Sequence, residues 1–129
     1  MIYLDTNSII YLIEGDAAAK SSVLSAIAAR GPMLLCTSRL ARLECRVKPL
    51  KDADALLLDV YDRFLGRTNL VLFDVSADVI DRATELRARY NFRTPDAIHL
   101  ATALVHRVSV YLTGDKQLAR CSEVSVQLI

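Results

Sequence analysis

The sequence is poor in glycine and has no glycine cluster. Its four glycines stand apart at Gly15, Gly31, Gly66 and Gly114. That spacing excludes the glycine-rich turns that cradle a dinucleotide or the phosphates of a nucleotide. A strand-to-helix nucleophile elbow is missing as well. No uncharged apolar run approaches the ~18 residues of a membrane span. The first apolar run is broken by Asp5 and has no basic segment before it, so it does not read as a secretory signal. Cys36, Cys45 and Cys121 are odd in number and lack metal-ligand spacing, which suits buried reduced thiols. Together these absences lead us to expect a cytoplasmic protein without membrane contact. Charge of one sign is also lacking. Sixteen basic residues against fifteen acidic ones leave a net charge of +1. A broad electrostatic field for nucleic acid is thereby excluded, and any such contact must come from local arginines or from a metal.

What is present is apolar material. The hydrophobic share is 53% and the charged share 24% over 129 residues, enough for one buried core in a single domain spanning residues 1–129. Mean hydropathy is +0.28. A second subunit covering part of the surface gives such a value, and so do buried helices rich in alanine and leucine.

Short, nearly continuous apolar runs read as strands covered on both faces: Ile2–Leu4, Met33–Thr37, Leu70–Phe73, Val108–Leu112, and more weakly Val124–Leu128. Ser38, Asp52, Ser76 and Thr94 stand where helix N-caps belong, and Pro95 suits a first helical turn. Alternating strands and helices predict an α/β fold with a mostly parallel central sheet of four to five strands. In such sheets, ligands bind beyond the carboxyl ends of the strands.

Two acids fall at that edge directly. Asp5 follows the first strand and Asp115 the fourth. Asp96 lies in the first turn of the helix opened by Thr94 and Pro95. Glu44 lies about two turns into the helix after the second strand. There, Leu40, Leu43 and Val47 form an apolar stripe, predicting that Glu44 tilts inward while Arg39, Arg42 and Arg46 face outward. Taken singly, each acid has an ordinary reading: Asp5 as a turn residue, Asp96 as a helix-start acid, Asp115 as a cap, Glu44 as a surface partner of Arg46 or Lys48. Taken together, four carboxylates at one sheet edge repel one another unless some are protonated or a cation holds them. Oxygen ligands without His or Cys nearby suit Mg²⁺ or Mn²⁺ and disfavour zinc. A cation so held neutralises phosphate oxygens and activates water, the equipment for phosphodiester hydrolysis. Arg93, beside the presumed site, is a candidate contact for a phosphate backbone. His99, one turn after Asp96, reads either as a packed helix residue or as one reaching the pocket.

Four segments then carry a resemblance: Tyr3-Leu4-Asp5-Thr6-Asn7, the inward Glu44, Thr94-Pro95-Asp96-Ala97-Ile98-His99-Leu100-Ala101-Thr102-Ala103, and Leu112-Thr113-Gly114-Asp115-Lys116-Gln117-Leu118. In order and spacing the chain resembles a PIN domain, and in length the VapC toxins of toxin–antitoxin pairs. The resemblance implies a three-layer fold with helices on both faces of the sheet. It implies Mg²⁺- or Mn²⁺-dependent endonucleolytic cleavage of RNA, with Asp5, Glu44, Asp96 and Asp115 as the catalytic and metal-binding acids. Thr6, Asn7 and Thr113 are the supporting candidates. A homodimer and a small VapB-like antitoxin are the implied partners. Two other readings stand beside it. A phosphoryl-transfer domain would use Asp74 as acceptor, but the paired acid and the lysine it wants are missing. A non-catalytic interaction module would be expected to have lost acids, and all four are present.

Overall fold

Side chains that alternate between the two faces of continuously buried strands decide how the chain is layered. β1 (Ile2–Leu4), β2 (Leu35–Ser38), β3 (Leu70–Phe73), β4 (Val110–Thr113) and β5 (Val126–Leu128) form one sheet in the computed structural model, which describes all 129 residues. The strand order is β3-β2-β1-β4-β5, and every neighbouring pair is parallel. Ile2, Leu4, Val110 and Leu112 project to one face, where they pack with Ile9, Ala41, Cys45, Tyr61 and Leu65. Those partners come from α1 (Thr6–Glu14), α3 (Arg39–Lys51) and α4 (Ala55–Leu65); α2 (Ala17–Ala28) adds Ala26. Tyr3 and Tyr111 project to the other face, against Val79, Leu86, Leu100 and Ala101 of α5 (Ala77–Tyr90) and α6 (Thr94–Val105). The result is the expected three-layer α/β architecture. Each fully buried leucine or tyrosine in it contributes about 1.5–3 kcal/mol by leaving water.

The strand order places the site. The chain runs outward from β1 through β2 to β3, then crosses to β4 on the other side of β1. The carboxyl ends of β1 and β4 therefore flank the point where the winding reverses, which is where open parallel sheets hold ligands. Two hydrogen bonds tie the residues after β1 to β4: Asp5 N donates to Leu112 O at 3.4 Å, and Ser8 Oγ to the same oxygen at 2.9 Å. Gly114, just beyond β4, lets the Tyr11 ring close in; a Cβ there would stand 2.9 Å from Tyr11 Cε2.

Several local expectations need correction. Met33 N donates to Gly31 O in a turn, so β2 starts at Leu35. Val108 N–H is taken by Ala103 O as α6 ends, so β4 starts at Val110. Asp52 ends α3, and Asp54 caps α4 by accepting from Leu57 N at 3.0 Å. Thr94 is the first residue inside α6, with Arg93 at the cap position and no side-chain bond there. The inward face of α3 is Ala41, Cys45 and Pro49, whereas Leu43 and Val47 are 60% and 53% exposed. Small residues line the inward face because α3 lies close over the sheet and α4. Arg42 and Arg46 both pair with Asp62 of α4, and Arg39 with Asp74. The three cysteines are buried and free, as expected. No helix is long and apolar enough to cross a membrane.

The reassigned face of α3 has a measurable consequence. Leu86→Ala, in the core, should lower unfolding free energy by about 2–5 kcal/mol. Leu43→Ala should stay within about 0.5 kcal/mol in denaturant unfolding. A loss for Leu43→Ala as large as that for Leu86→Ala would restore the apolar stripe to the interior.

Candidate active site

Asp5 is both a structural cap and a buried charge. It follows β1 directly and caps α1, its Oδ1 accepting from Ser8 N and Ser8 Oγ, both at 2.8 Å. The helix amino terminus favours the negative charge there. The residue is only 5% exposed. Thr6 and Asn7 follow in the first turn of α1.

Asp96 is the third residue of α6, again at a helix start, with Oδ2 accepting from Arg93 Nε at 3.0 Å. Glu44 borders the buried side of α3. Its Oε1 accepts from Thr6 Oγ1 at 2.7 Å and lies 2.6 Å from His99 Nε2. Behind it, His99 Nδ1 lies 2.7 Å from the Tyr3 hydroxyl.

These side chains share one small polar cavity of about 80 Å³. Asp5, Glu44 and Asp96 line it with Thr6, Asn7 and Arg93, and His99 and Tyr111 close its inner wall. Asp115 is not among the lining residues. It caps the 3-10 turn Lys116–Arg120, accepting from Gln117 N at 2.8 Å, and lines an adjoining recess that shares Arg93 and Asp96 with the first cavity. Thr113 is buried, and its Oγ1 accepts from Asp115 N at 3.0 Å. Three of the four predicted acids thus line one cavity, and the fourth lines the adjoining recess.

The electrostatics differ between the acids. Burial raises the Asp5 carboxyl above its ordinary range, against the opposing pull of the Thr113 and Ser8 hydroxyls, Ser8 N–H and His99. Burial also works to raise Glu44, but the His99 hydrogen bond and charge, the Thr6 hydroxyl and Arg93 outweigh it and hold Glu44 below its ordinary value. The Tyr111 phenol is pushed far up by burial, and its hydroxyl has no hydrogen-bond partner although it borders the cavity.

The donor set suits a hard cation. Glu44 and Asp96 each keep one oxygen outside the bonds just named, Asp5 Oδ2 takes no bond from Ser8, and Tyr111, whose hydroxyl is unpartnered, lines the same cavity. Oxygen donors without a thiolate match Mg²⁺ or Mn²⁺. As the side chains stand, no three His, Cys, Asp or Glu residues are gathered into ion-holding geometry. Ser8, Arg93 and His99 hold the carboxylates instead, so a cation would have to draw them inward. Asp74, the acceptor a phosphoryl-transfer domain would need, is exposed, paired with Arg39 and outside the cavity.

A family model for the PIN domain matches residues 2–124. The chain belongs to that family. Its fold is shared with a toxin–antitoxin complex from Klebsiella pneumoniae, at 26% identity and TM-score 0.77, covering 98% of this chain and 96% of that one. It is shared with VapC20 of Mycobacterium tuberculosis, a toxin that cleaves the sarcin–ricin loop, at 19% identity and TM-score 0.78, covering 98% and 99%. VapBC2 of Rickettsia felis, bound to a promoter DNA fragment, matches at 19% identity and TM-score 0.77, covering 99% and 98%. No curated protein matches the chain in sequence at a significant level.

Sequence reasoning about this PIN domain overlooked Ser8 and Tyr111. Ser8 stands three residues after Asp5, the spacing at which a capping acid finds its N–H partner. Tyr111 carried no signal, since its alternation along β4 reads as core. His99 turns out to be both packed and part of the cavity wall.

The opposite shifts of Asp5 and Glu44 predict opposite effects in the metal-free protein. A raised carboxyl such as Asp5 stabilises the fold fully below its unfolded pKa of about 3.9 and loses that contribution as pH rises through its folded pKa. Asp5→Asn keeps a good cap residue and should therefore melt above the wild type at pH 7, the gap closing in acid. Glu44 is lowered, so its contribution is present above the unfolded pKa and lost as pH falls through the folded one. Glu44→Gln should melt below the wild type at pH 7. Thermal unfolding between pH 3 and 7 reads both, and a lower melting point for Asp5→Asn at pH 7 would contradict the burial argument.

Proposed function

We propose that this PIN domain is a Mg²⁺- or Mn²⁺-dependent endoribonuclease and acts as the toxin of a toxin–antitoxin pair. The observation that carries the reading is the meeting of Asp5, Glu44 and Asp96, from three separate elements, in one polar cavity at the winding reversal of the sheet. Evolutionary kinship to nucleases explains the fold, but a desolvated cluster of like charges is costly for folding alone.

In this reading Asp5 and Asp96 hold the cation, Glu44 completes the ligand set, and Asp115 joins from the rim. The bound cation supplies charge neutralisation at the scissile phosphate and an activated water. Arg93, exposed at the mouth and already paired with Asp96, steers the phosphate backbone into the cavity. Thr6 holds Glu44 in place, and Asn7 and Thr113 support the first and last acids. Water adds to phosphorus as the bond to the 3′ oxygen breaks, leaving a 5′-phosphate and a 3′-hydroxyl. The toxin role draws on the named relatives, as do a VapB-like antitoxin and a homodimer as partners.

Purified protein incubated with a structured RNA tests the reading. Cleavage should require Mg²⁺ or Mn²⁺ and stop with EDTA. Asp5→Asn and Asp96→Asn should each slow it at least about a hundredfold, equivalent to about 2.7 kcal/mol of transition-state stabilisation. Cleavage that persists in EDTA, or at the wild-type rate in Asp5→Asn, would sink the metal-dependent assignment.

A further inference from the structure

We propose that His99 is a positioning residue of the acidic cavity, oriented by the Tyr3 hydroxyl so that its Nε2–H clamps one oxygen of Glu44 and leaves the other for the cation. The inference rests on the metal-dependent reading for its function but on geometry for its structure.

The chain of contacts is continuous. Tyr3 lies wholly buried in β1 and stacks on Tyr111 of β4, with ring centroids 4.9 Å apart and planes 9° from parallel. That stack fixes the phenol. The Tyr3 hydroxyl lies 2.7 Å from His99 Nδ1, and the Thr37 hydroxyl and the Ser38 N–H stand near it as donors. The phenol hydrogen needs an acceptor, and Nδ1 at 2.7 Å can take it. A bare Nδ1 puts the ring hydrogen on Nε2.

Nε2 then donates to Glu44 Oε1 at 2.6 Å, the same oxygen that accepts from Thr6 Oγ1 at 2.7 Å. Two donors on one oxygen pin the carboxylate in rotation and leave Oε2 outside the clamp. A charge-assisted bond to a nearly buried imidazole is among the stronger contacts a carboxylate can make. His99 itself is 3% exposed; it can hold Glu44 without offering itself to substrate. Outer partners that fix a ligand in this way typically govern metal affinity by 10–100-fold.

The test combines Mn²⁺ titration by calorimetry with nitrogen-15 NMR of the imidazoles in the metal-free protein. The His99 ring of the wild type should carry hydrogen on Nε2, toward Glu44, identified by its disappearance in His99→Phe. Tyr3→Phe should shift that ring toward a mixture of tautomers. His99→Phe should bind Mn²⁺ at least about tenfold more weakly, and His99→Gln, whose amide can reach Glu44 from the same backbone, should regain most of the loss. Equal weakening in the Phe and Gln variants, or wild-type affinity in His99→Phe, overturns the proposal. An Nδ1–H ring, or a spectrum indifferent to Tyr3→Phe, overturns it regardless of the metal. Failure of the wild type to bind Mn²⁺ at all counts against the metal-dependent function, while the NMR result still decides whether Tyr3 orients His99.

Discussion

Burial of the Asp5 carboxylate is the constraint on which the rest of the structure depends. A charge removed from water at the end of a central strand is tolerable only with strong compensation. The chain compensates with the start of α1, whose Ser8 supplies both a backbone and a side-chain donor. Ser8 in turn is fastened to Leu112 of β4. The acid therefore couples the first strand, the first helix and the neighbouring strand, so cap and site cannot be designed independently.

The same logic extends outward. Each further acid has its own protein donor: Arg93 for Asp96, and His99 with Thr6 for Glu44. These partners let carboxylates approach one another in a metal-free fold without a collective shift toward protonation, as the lowered Glu44 shows. They also leave one oxygen of Asp96 and one of Glu44 outside these bonds. In the proposed reading, a cavity whose acids have protein donors could fold before a cation is loaded.

Much of this was legible in the sequence, and the failures are instructive. The apolar runs at Ile2–Leu4 and Leu70–Phe73 match the observed strands because strands buried on both faces leave an unbroken apolar signal. The alternation of elements was enough for a mostly parallel α/β sheet, and the resemblance to the PIN domain supplied the helices on both faces. The inward face of α3 was misjudged because periodicity favoured large residues, whereas close packing against the sheet and α4 selected Ala41 and Cys45 and left Leu43 and Val47 outside. Glu44 still reaches the cavity because it borders the true buried face. Asp115 sits at the rim with its carboxylate engaged in capping a 3-10 turn, the ordinary reading that Gly114-Asp115 already offered. The roles of His99 and Tyr111 depend on contacts across nearly a hundred residues, such as Tyr3 with His99, and no local pattern announces them.

The central claim is that these separated acids form one cation-holding centre. Anomalous diffraction from crystals soaked in Mn²⁺ tests it most directly. The account predicts a manganese peak bonded to oxygens of both Asp5 and Asp96, with Glu44 turned toward it. A well-soaked crystal with no peak in the cavity, or with manganese bound only elsewhere while the carboxylates remain on Ser8, Arg93 and His99, would contradict it.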